Sequence, residues 1–168
     1  TKDVDGFHPE NVASLLEGRP HVISPVHEGI LRLIAQTPLR ITERKAALIV
    51  NSEIFANPLA RLLSRAGANV EIMHPDALNT TFLKEADLVM IAIGRTNFLK
   101  PSLTKNDAVI IDVGTNRLDE KKIVGDVDRE AYKNTEVWIS PVPGGVGPMT
   151  IAQLLKNVVE MGKRRRGL

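Results

Sequence analysis

The chain has 168 residues, 43% hydrophobic and 25% charged, with 22 basic against 20 acidic side chains for a net charge of +2. That length and apolar content give one globular domain with a sizeable core, and the near balance of charge excludes the broad basic footprint of a nucleic-acid binder. The absence of cysteine excludes a disulfide framework, a thiolate nucleophile and a zinc–thiolate site, and no apolar run approaches the roughly 20 residues of a membrane span.

Taken in chain order, residues 1–8 read as an extended arm, followed by a short helix from Pro9 to Leu16 with proline at its start and Gly18 at its close. Pro25 opens a second helix, on which Ile30, Leu31, Leu33 and Ile34 make one apolar face before Pro38 stops it. Ala46 to Val50 is a continuous apolar run, the pattern of a strand covered on both faces. Pro58 to Ala66 is predicted as a helix ending at Gly67. Asn69 to Met73, Asp87 to Ala92, Val109 to Val113 and Val137 to Ile139 are predicted as strands. A closing segment over 150–168 holds a helix from Thr150 to about Arg164, with Thr150, Ile151, Leu154, Leu155, Val158 and Val159 at helical spacing. Its basic end, Lys163 to Arg166, reads as a solvated helix terminus that complements the helix dipole.

Strands alternating with helices at these spacings predict an α/β fold: a Rossmann-like parallel sheet with helices on both faces, joined by right-handed crossovers into a single domain over 1–168. Thr1 in place of Met suggests a piece of something longer, with residues 1–40 as a linker and helices leading to a further lobe. No signal-peptide pattern opens the chain, and a cytoplasmic setting is the default expectation.

In such a sheet, ligands bind beyond the carboxyl ends of the strands. The loop after Val50 contains Asn51, Ser52 and Ala56 before Pro58 and has no glycine, so it lacks the close backbone approach of a dinucleotide fingerprint. Ser52 can either donate to a phosphate or cap the next turn. His74, before Pro75, reads as a loop histidine rather than a proton shuttle, because no carboxylate or serine partner is identifiable near it. Gly94 allows close backbone approach; Arg95 reads as a solvated arginine within reach of a phosphate. Gly114 frees the backbone before Thr115 at another strand end. Asp3, Asp126 and Asp128 read as solvated turn residues, and no metal site is expected. The densest stretch is Ile139 to Thr150. Pro141, Pro143 and Pro148 fix φ there, Gly144, Gly145 and Gly147 permit close approaches, and the loop ends at a helix N-terminus suited to an anionic or carbonyl-bearing ligand.

Four motifs occur in order: Lys2-Asp3-Val4-Asp5-Gly6-Phe7, Ile111-Asp112-Val113-Gly114-Thr115-Asn116-Arg117, Gly125-Asp126-Val127-Asp128, and Pro141 through Thr150. Together they make the chain resemble, over essentially all its length, the C-terminal dinucleotide-binding part of methylenetetrahydrofolate dehydrogenase/methenyltetrahydrofolate cyclohydrolase. The resemblance implies an enzyme of one-carbon metabolism, feeding purine biosynthesis, that passes a hydride from 5,10-methylenetetrahydrofolate to NADP or NAD and hydrolyses the methenyl product to 10-formyltetrahydrofolate. It also implies a homodimer, no metal, and an N-terminal lobe not included here. On the substrate side it implies that Asp5 accepts paired N–H donors from the pterin edge. Pro143, Gly144, Gly145, Val146, Gly147, Pro148, Met149, Thr150 and Ile151 would form a wall, mostly through backbone groups. On the cofactor side it implies Val50, Asn51, Ser52, His74, Pro75, Gly94, Gly114 and Thr115, the last toward the nicotinamide.

The chain departs from the family in the first loop, where Val50 replaces a glycine, Asn51 the arginine that grips a 2′-phosphate, and Ala56 a later glycine; Pro75 replaces a serine hydroxyl. A charge-assisted bond is worth about 1.5–3 kcal/mol, so its loss lowers the expected NADP preference below about tenfold. The family's Tyr-x-x-x-Lys helix, whose lysine handles protons, is absent: Tyr132 is followed by Lys133, Asn134, Thr135 and Glu136. No catalytic residue is therefore expected in this piece, which alone should be inactive. The departures also leave a second reading, a non-catalytic Rossmann module with a decayed nucleotide loop that serves dimerisation or folate-site architecture.

Overall fold

The computed structural model describes residues 2–120 and 122–167; Thr1, Lys121 and Leu168, and with them both ends of the expected 1–168 domain, lie outside the described residues. The elements are α1 (Pro9–Leu16), α2 (Pro25–Ile34), β1 (Lys45–Val50), α3 (Glu53–Arg65), β2 (Asn69–Met73), α4 (Thr80–Glu85), β3 (Leu88–Ala92), β4 (Val109–Asp112), β5 (Asn116–Arg117), β6 (Ile123–Val124), β7 (Trp138–Ile139) and α5 (Val146–Arg166). A five-stranded sheet runs in the order β2-β1-β3-β4-β7, with every pair parallel, and β5 and β6 form a small antiparallel hairpin. This is the expected Rossmann-like architecture.

The continuous apolar runs have the expected cause. On one face Leu48, Met90 and Ile111 pack with Ile30, Ile34, Leu59 and Leu63. On the other, Ile49, Ile91 and Ile110 pack with Leu83 and Leu99. Each such side chain, taken from water, contributes about 1.5–3 kcal/mol.

Two helices begin earlier than the sequence suggested. α3 starts at Glu53, not Pro58, and Pro58 is its sixth residue, inside the helix. That costs one backbone bond to Ile54, while Ala56, Pro58, Leu59 and Leu63 are all buried, and the burial outweighs the loss. α5 starts at Val146, not Thr150. Pro148 then occupies the third position, where an N–H has no intrahelical partner in any case. α4 was not expected: six residues carry too little periodicity, although Asn79 caps it by accepting from Phe82 N at 3.1 Å. The two-residue strands of the hairpin escaped notice for the same reason.

α5 also differs in how it is held. Ile151 and Leu155 are each 62% exposed and Val159 is 54% exposed, so its apolar stripe faces outward. Its other side packs along α2, with Met149 against Gly29, and polar bonds hold its farther half. Asn157 Nδ2 donates to the carbonyls of Val4 and Ile23, both at 3.0 Å, and the Arg164 guanidinium donates to His21 O at 2.9 Å. Arg164 thus anchors the connection between α1 and α2 to α5 rather than being only a solvated cation. Among the described residues no helix is long and apolar enough to cross a membrane.

Candidate functional site

Because β1, β3 and β4 are parallel neighbours with β2 on the far side of β1, their carboxyl ends bring four loops to one edge. After β1, Val50 and Ala56 turn their side chains into the core. Asn51 is exposed, and its Nδ2 donates to Ile93 O at 3.2 Å, tying the β1 end to the β3 end. Ser52 is the extended residue that starts α3, is exposed, and makes no cap hydrogen bond. Of its two possible roles, the cap is not the one it plays here. Its exposed hydroxyl lies at the N-terminus of α3, where N–H groups without an intrahelical partner could receive an anionic group such as a phosphate despite the missing glycine.

After β2, Pro75 is buried and His74 exposed. His74 does have a carboxylate beside it: its Nδ1 lies 3.6 Å from Asp76 Oδ2 and accepts from Asp76 N at 3.3 Å. The sequence hid this partner because Asp76 is positioned by the turn. Arg95 is not simply solvated either. Its guanidinium holds Asp76 with both ends, at 2.7 and 3.3 Å, and lies 5.9 Å from the Phe98 ring centroid. The hydrogen bond from Arg95 holds the Asp76 carboxyl below its usual range and raises the arginine in turn.

Behind these loops sits a pair of buried carboxylates that the sequence reading took for turn residues or passed over. Asp126 is fully buried. Its Oδ2 accepts from Ile93 N (2.8 Å) and Gly94 N (3.2 Å), and its Oδ1 from Arg95 N (2.9 Å) and Asn116 Nδ2 (2.8 Å). Asp112, the last residue of β4, accepts from Gly114 N (3.0 Å), Asp126 N (3.0 Å) and Val127 N (3.1 Å). Burial pushes the Asp112 carboxyl up, against the N–H groups of Asp126 and Val127. The two loops interlock: a Cβ on Gly114 would overlap the Asp126 carboxylate, and one on Gly125 the Asp112 carboxylate. A fully buried carboxylate surrounded by N–H donors is the state in which burial is tolerated, which is why Asp126 is not solvated.

The Gly94 N–H, with those of Ile93 and Arg95, is occupied from within by Asp126, so the loop after β3 has only side chains and carbonyls left to offer a ligand. Gly114 is buried and Thr115 exposed at the end of β4. A strand ending in Asp-Val-Gly, and a Gly-Asp pair downstream, were the signals that could have revealed the lock. Among the described residues no group of three or more acidic and histidine side chains is placed to hold a metal ion.

The residues expected on the substrate side lie elsewhere, around α2, the start of α5 and the arm. Ser140 is fully buried and its Oγ accepts from Asp112 N at 2.9 Å, fixing the exit of β7 to β4. The loop then turns through a cis Val142–Pro143 peptide. At Gly145 a Cβ would overlap Pro141 O, so only glycine can precede the helix there. Pro143, Gly144, Gly147, Pro148 and Ile151 are exposed, Gly145 and Val146 are buried, and Met149 is half-buried against Gly29 of α2. The Thr150 hydroxyl is spent inside the helix, donating to Val146 O at 2.8 Å.

Asp5 is exposed on the arm, between Val4, whose carbonyl Asn157 holds, and Gly6. Asp3 orders this turn rather than standing solvated: it accepts from Gly6 N, His8 N and Asn11 Nδ2 at 3.0, 2.8 and 2.6 Å. His27, on α2, joins the arm to α3. Its fully buried ring sits edge-on to Phe7 and Phe55, with centroids at 5.5 and 4.9 Å, and neither nitrogen makes a hydrogen bond among the described residues. Burial lowers its pKa to about 4, with the Phe55 backbone pulling the other way. Tyr132 is buried too, its hydroxyl 3.0 Å from Thr104 Oγ1 and pushed up to about 12 by that burial. A cavity of about 860 Å3 lies at neither residue group but where the arm meets the far half of α5, beside Val4, Asn11, Val22, Val158 and Met161.

Comparison with known proteins places this geometry. The bifunctional protein FolD of Campylobacter hominis is 46% identical over 165 residues, which are 98% of this chain and 58% of that protein. The crystal structure of the FolD methylenetetrahydrofolate dehydrogenase/cyclohydrolase of Campylobacter jejuni superposes with a TM-score of 0.90 at 40% identity, covering 98% of this chain and 59% of that one. The Trypanosoma brucei enzyme, solved with NADP and an inhibitor, gives 0.87 at 30% identity over the same shares. The chain thus spans just under three-fifths of the length of these relatives. The profile described as tetrahydrofolate dehydrogenase/cyclohydrolase, NAD(P)-binding domain, matches residues 24–166, and the chain belongs to that family.

Proposed function

We propose that this chain is the cofactor-binding part of an enzyme that oxidises 5,10-methylenetetrahydrofolate to the 5,10-methenyl compound and hydrolyses that to 10-formyltetrahydrofolate. The observation that carries this reading is the uncapped, exposed Ser52 at the start of α3, set beside Asn51 at the carboxyl edge of β1. When bound there, NAD or NADP supplies the acceptor for the hydride. Ser52 and the α3 N-terminus hold its phosphates, and Thr115, on the loop behind β4, stands toward the nicotinamide side. The residues from Pro143 to Ile151 present backbone groups to the folate, and the exposed Asp5 carboxylate accepts N–H donors from its pterin edge. The Asp112–Asp126 lock keeps both halves of that edge fixed while they bind. No side chain of this piece is assigned the proton handling. Tyr132 is buried and bonded to Thr104, and the lysine of the family motif belongs to an N-terminal lobe.

That lobe is the partner we propose for the outward stripe of Ile151, Leu155 and Val159, which is unusually apolar for a solvated helix face. We propose further that the protein pairs with a second copy, for which β2 offers a sheet edge with Ile72 40% exposed, and that it works in the cytoplasm. The decayed-module alternative is not favoured, since the NAD(P)-binding profile matches residues 24–166 and the relatives are named as bifunctional enzymes.

The test is to titrate the 168-residue chain with both dinucleotides and to assay it for both reactions. Binding without turnover is the expected result. In the parent protein carrying the N-terminal lobe, Asp5→Ala should then weaken folate about tenfold or more while leaving cofactor affinity unchanged. No dinucleotide binding at millimolar concentration, by chain that circular dichroism shows folded, would return the module reading.

A further inference from the structure

In the strand order β2-β1-β3, a contact between a residue that follows β2 and one that follows β3 must pass over the end of β1. The Asp76–Arg95 pair is such a contact. Asp76 stands three residues beyond the last residue of β2, and Arg95 three beyond the last of β3. In dinucleotide domains of this architecture, an acidic residue at that place bonds the adenosine ribose 2′-hydroxyl, and a nearby arginine accommodates a 2′-phosphate. This chain carries both kinds of group, and they are bound to each other.

We propose that the Asp76–Arg95 bridge is the cofactor-selecting element of this protein, a strap across the adenosine end of the site that admits a ribose with a free 2′-hydroxyl and disfavours one carrying a 2′-phosphate. The inference rests on the dinucleotide reading above. In the bidentate pair each Asp76 oxygen spends one lone pair on Arg95 and keeps another for a hydroxyl donor. A 2′-phosphate at the same place meets the carboxylate's negative charge, and it gains Arg95 only by taking it from Asp76. Asn51, neutral and turned to Ile93 O, supplies no second cation.

Both ends of the strap are set by the fold. The Arg95 backbone is held by the buried Asp126 at 2.9 Å and its guanidinium rests near Phe98. Asp76 follows the buried Pro75, and its own N–H donates to His74. The pair is exposed at both partners, 48% and 61%, so it adds little to the stability of the fold. Its charge is presented to whatever lies over β1.

The experiment is a titration of the chain with NAD and with NADP at one ionic strength, repeated on Asp76→Asn and on Asp76→Asn with Arg95→Met. The wild-type chain should bind NAD about tenfold more tightly than NADP or better. Asp76→Asn should move the ratio about tenfold toward NADP, through a gain in NADP affinity, and adding Arg95→Met should abolish that gain. A wild-type preference for NADP would overturn the inference, and so would a ratio that Asp76→Asn leaves unchanged, or equal losses for both dinucleotides; in each case the dinucleotide reading survives. Binding of neither by folded chain overturns both.

Discussion

The carboxyl edge of the sheet and the face formed by the arm with α5 are built on opposite terms. At the edge, two buried carboxylates, Asp112 and Asp126, take seven N–H donors between them, and glycines at 114 and 125 let the loops close on each other. The edge is complete within this chain. On the other face α5 packs along α2 and is joined to the arm and the α1–α2 connection by side-chain bonds to backbone carbonyls, from Asn157 and Arg164, while Ile151 and Leu155 stand in water. On the proposed reading, that face is half of an interface with the N-terminal lobe. A cofactor edge can be finished in isolation because its ligand is small, whereas a cleft wall that another lobe must complete keeps its apolar surface outward.

The sharpest way to break the contrast is at Asp126. Asp126→Ala strands three consecutive N–H groups, from Ile93 to Arg95, together with the Asn116 amide. Buried donors left unpaired cost about 1–3 kcal/mol each and do not add fully, so a loss of about 3 kcal/mol or more is expected in urea unfolding. Asp128→Ala, two residues on, should stay within about 0.5 kcal/mol. Equal effects at the two positions would mean that the loops are held by packing alone.

His27 joins the arm to α3, and its titration tests how firmly. The unfolded imidazole takes up a proton near pH 6.5, while the folded one resists to about pH 4. Stability is therefore intact above pH 6.5 and falls as the pH drops from there toward 4, by about 3 kcal/mol in all. His27→Phe keeps an aromatic wedge between Phe7 and Phe55 and should flatten this limb. An unchanged acid limb in that variant would assign the loss to carboxylates such as Asp3, whose hydrogen bonds from His8, Asn11 and Gly6 hold it low despite its partial burial.

What could be read in advance follows the same division. The strands were legible because burial on both faces writes itself as uninterrupted apolar runs at 46–50 and 88–92. The four family motifs placed the glycine and proline loop and the strand ends without a structure. Asp126 was misread because nothing local distinguishes a carboxylate surrounded by distant N–H groups from one in a solvated turn; its donors come from residues 93–95 and 116. Asp76 and Arg95, 19 positions apart, were invisible as a pair for the same reason. The start of α3 is not legible because a proline signals a helix start in sequence, whereas Pro58 is buried inside the helix.

The smallest expected effect falls on the unfinished face. Ile151→Ser with Leu155→Ser removes two apolar side chains that are already 62% exposed, so little buried area is lost and the urea midpoint of the 168-residue chain should move by no more than surface changes usually give, about 0.5 kcal/mol per site. The same pair of changes in the parent protein should behave otherwise. If the N-terminal lobe covers the stripe, each side chain there is withdrawn from water and its truncation costs about 1.5–3 kcal/mol, read as a loosened lobe contact in limited proteolysis and as an earlier unfolding midpoint. A large loss in the short chain would show that the stripe is packed within this domain. A small loss in both would show that the lobe rests elsewhere, with the cavity beside Val158 and Met161 the next face to test.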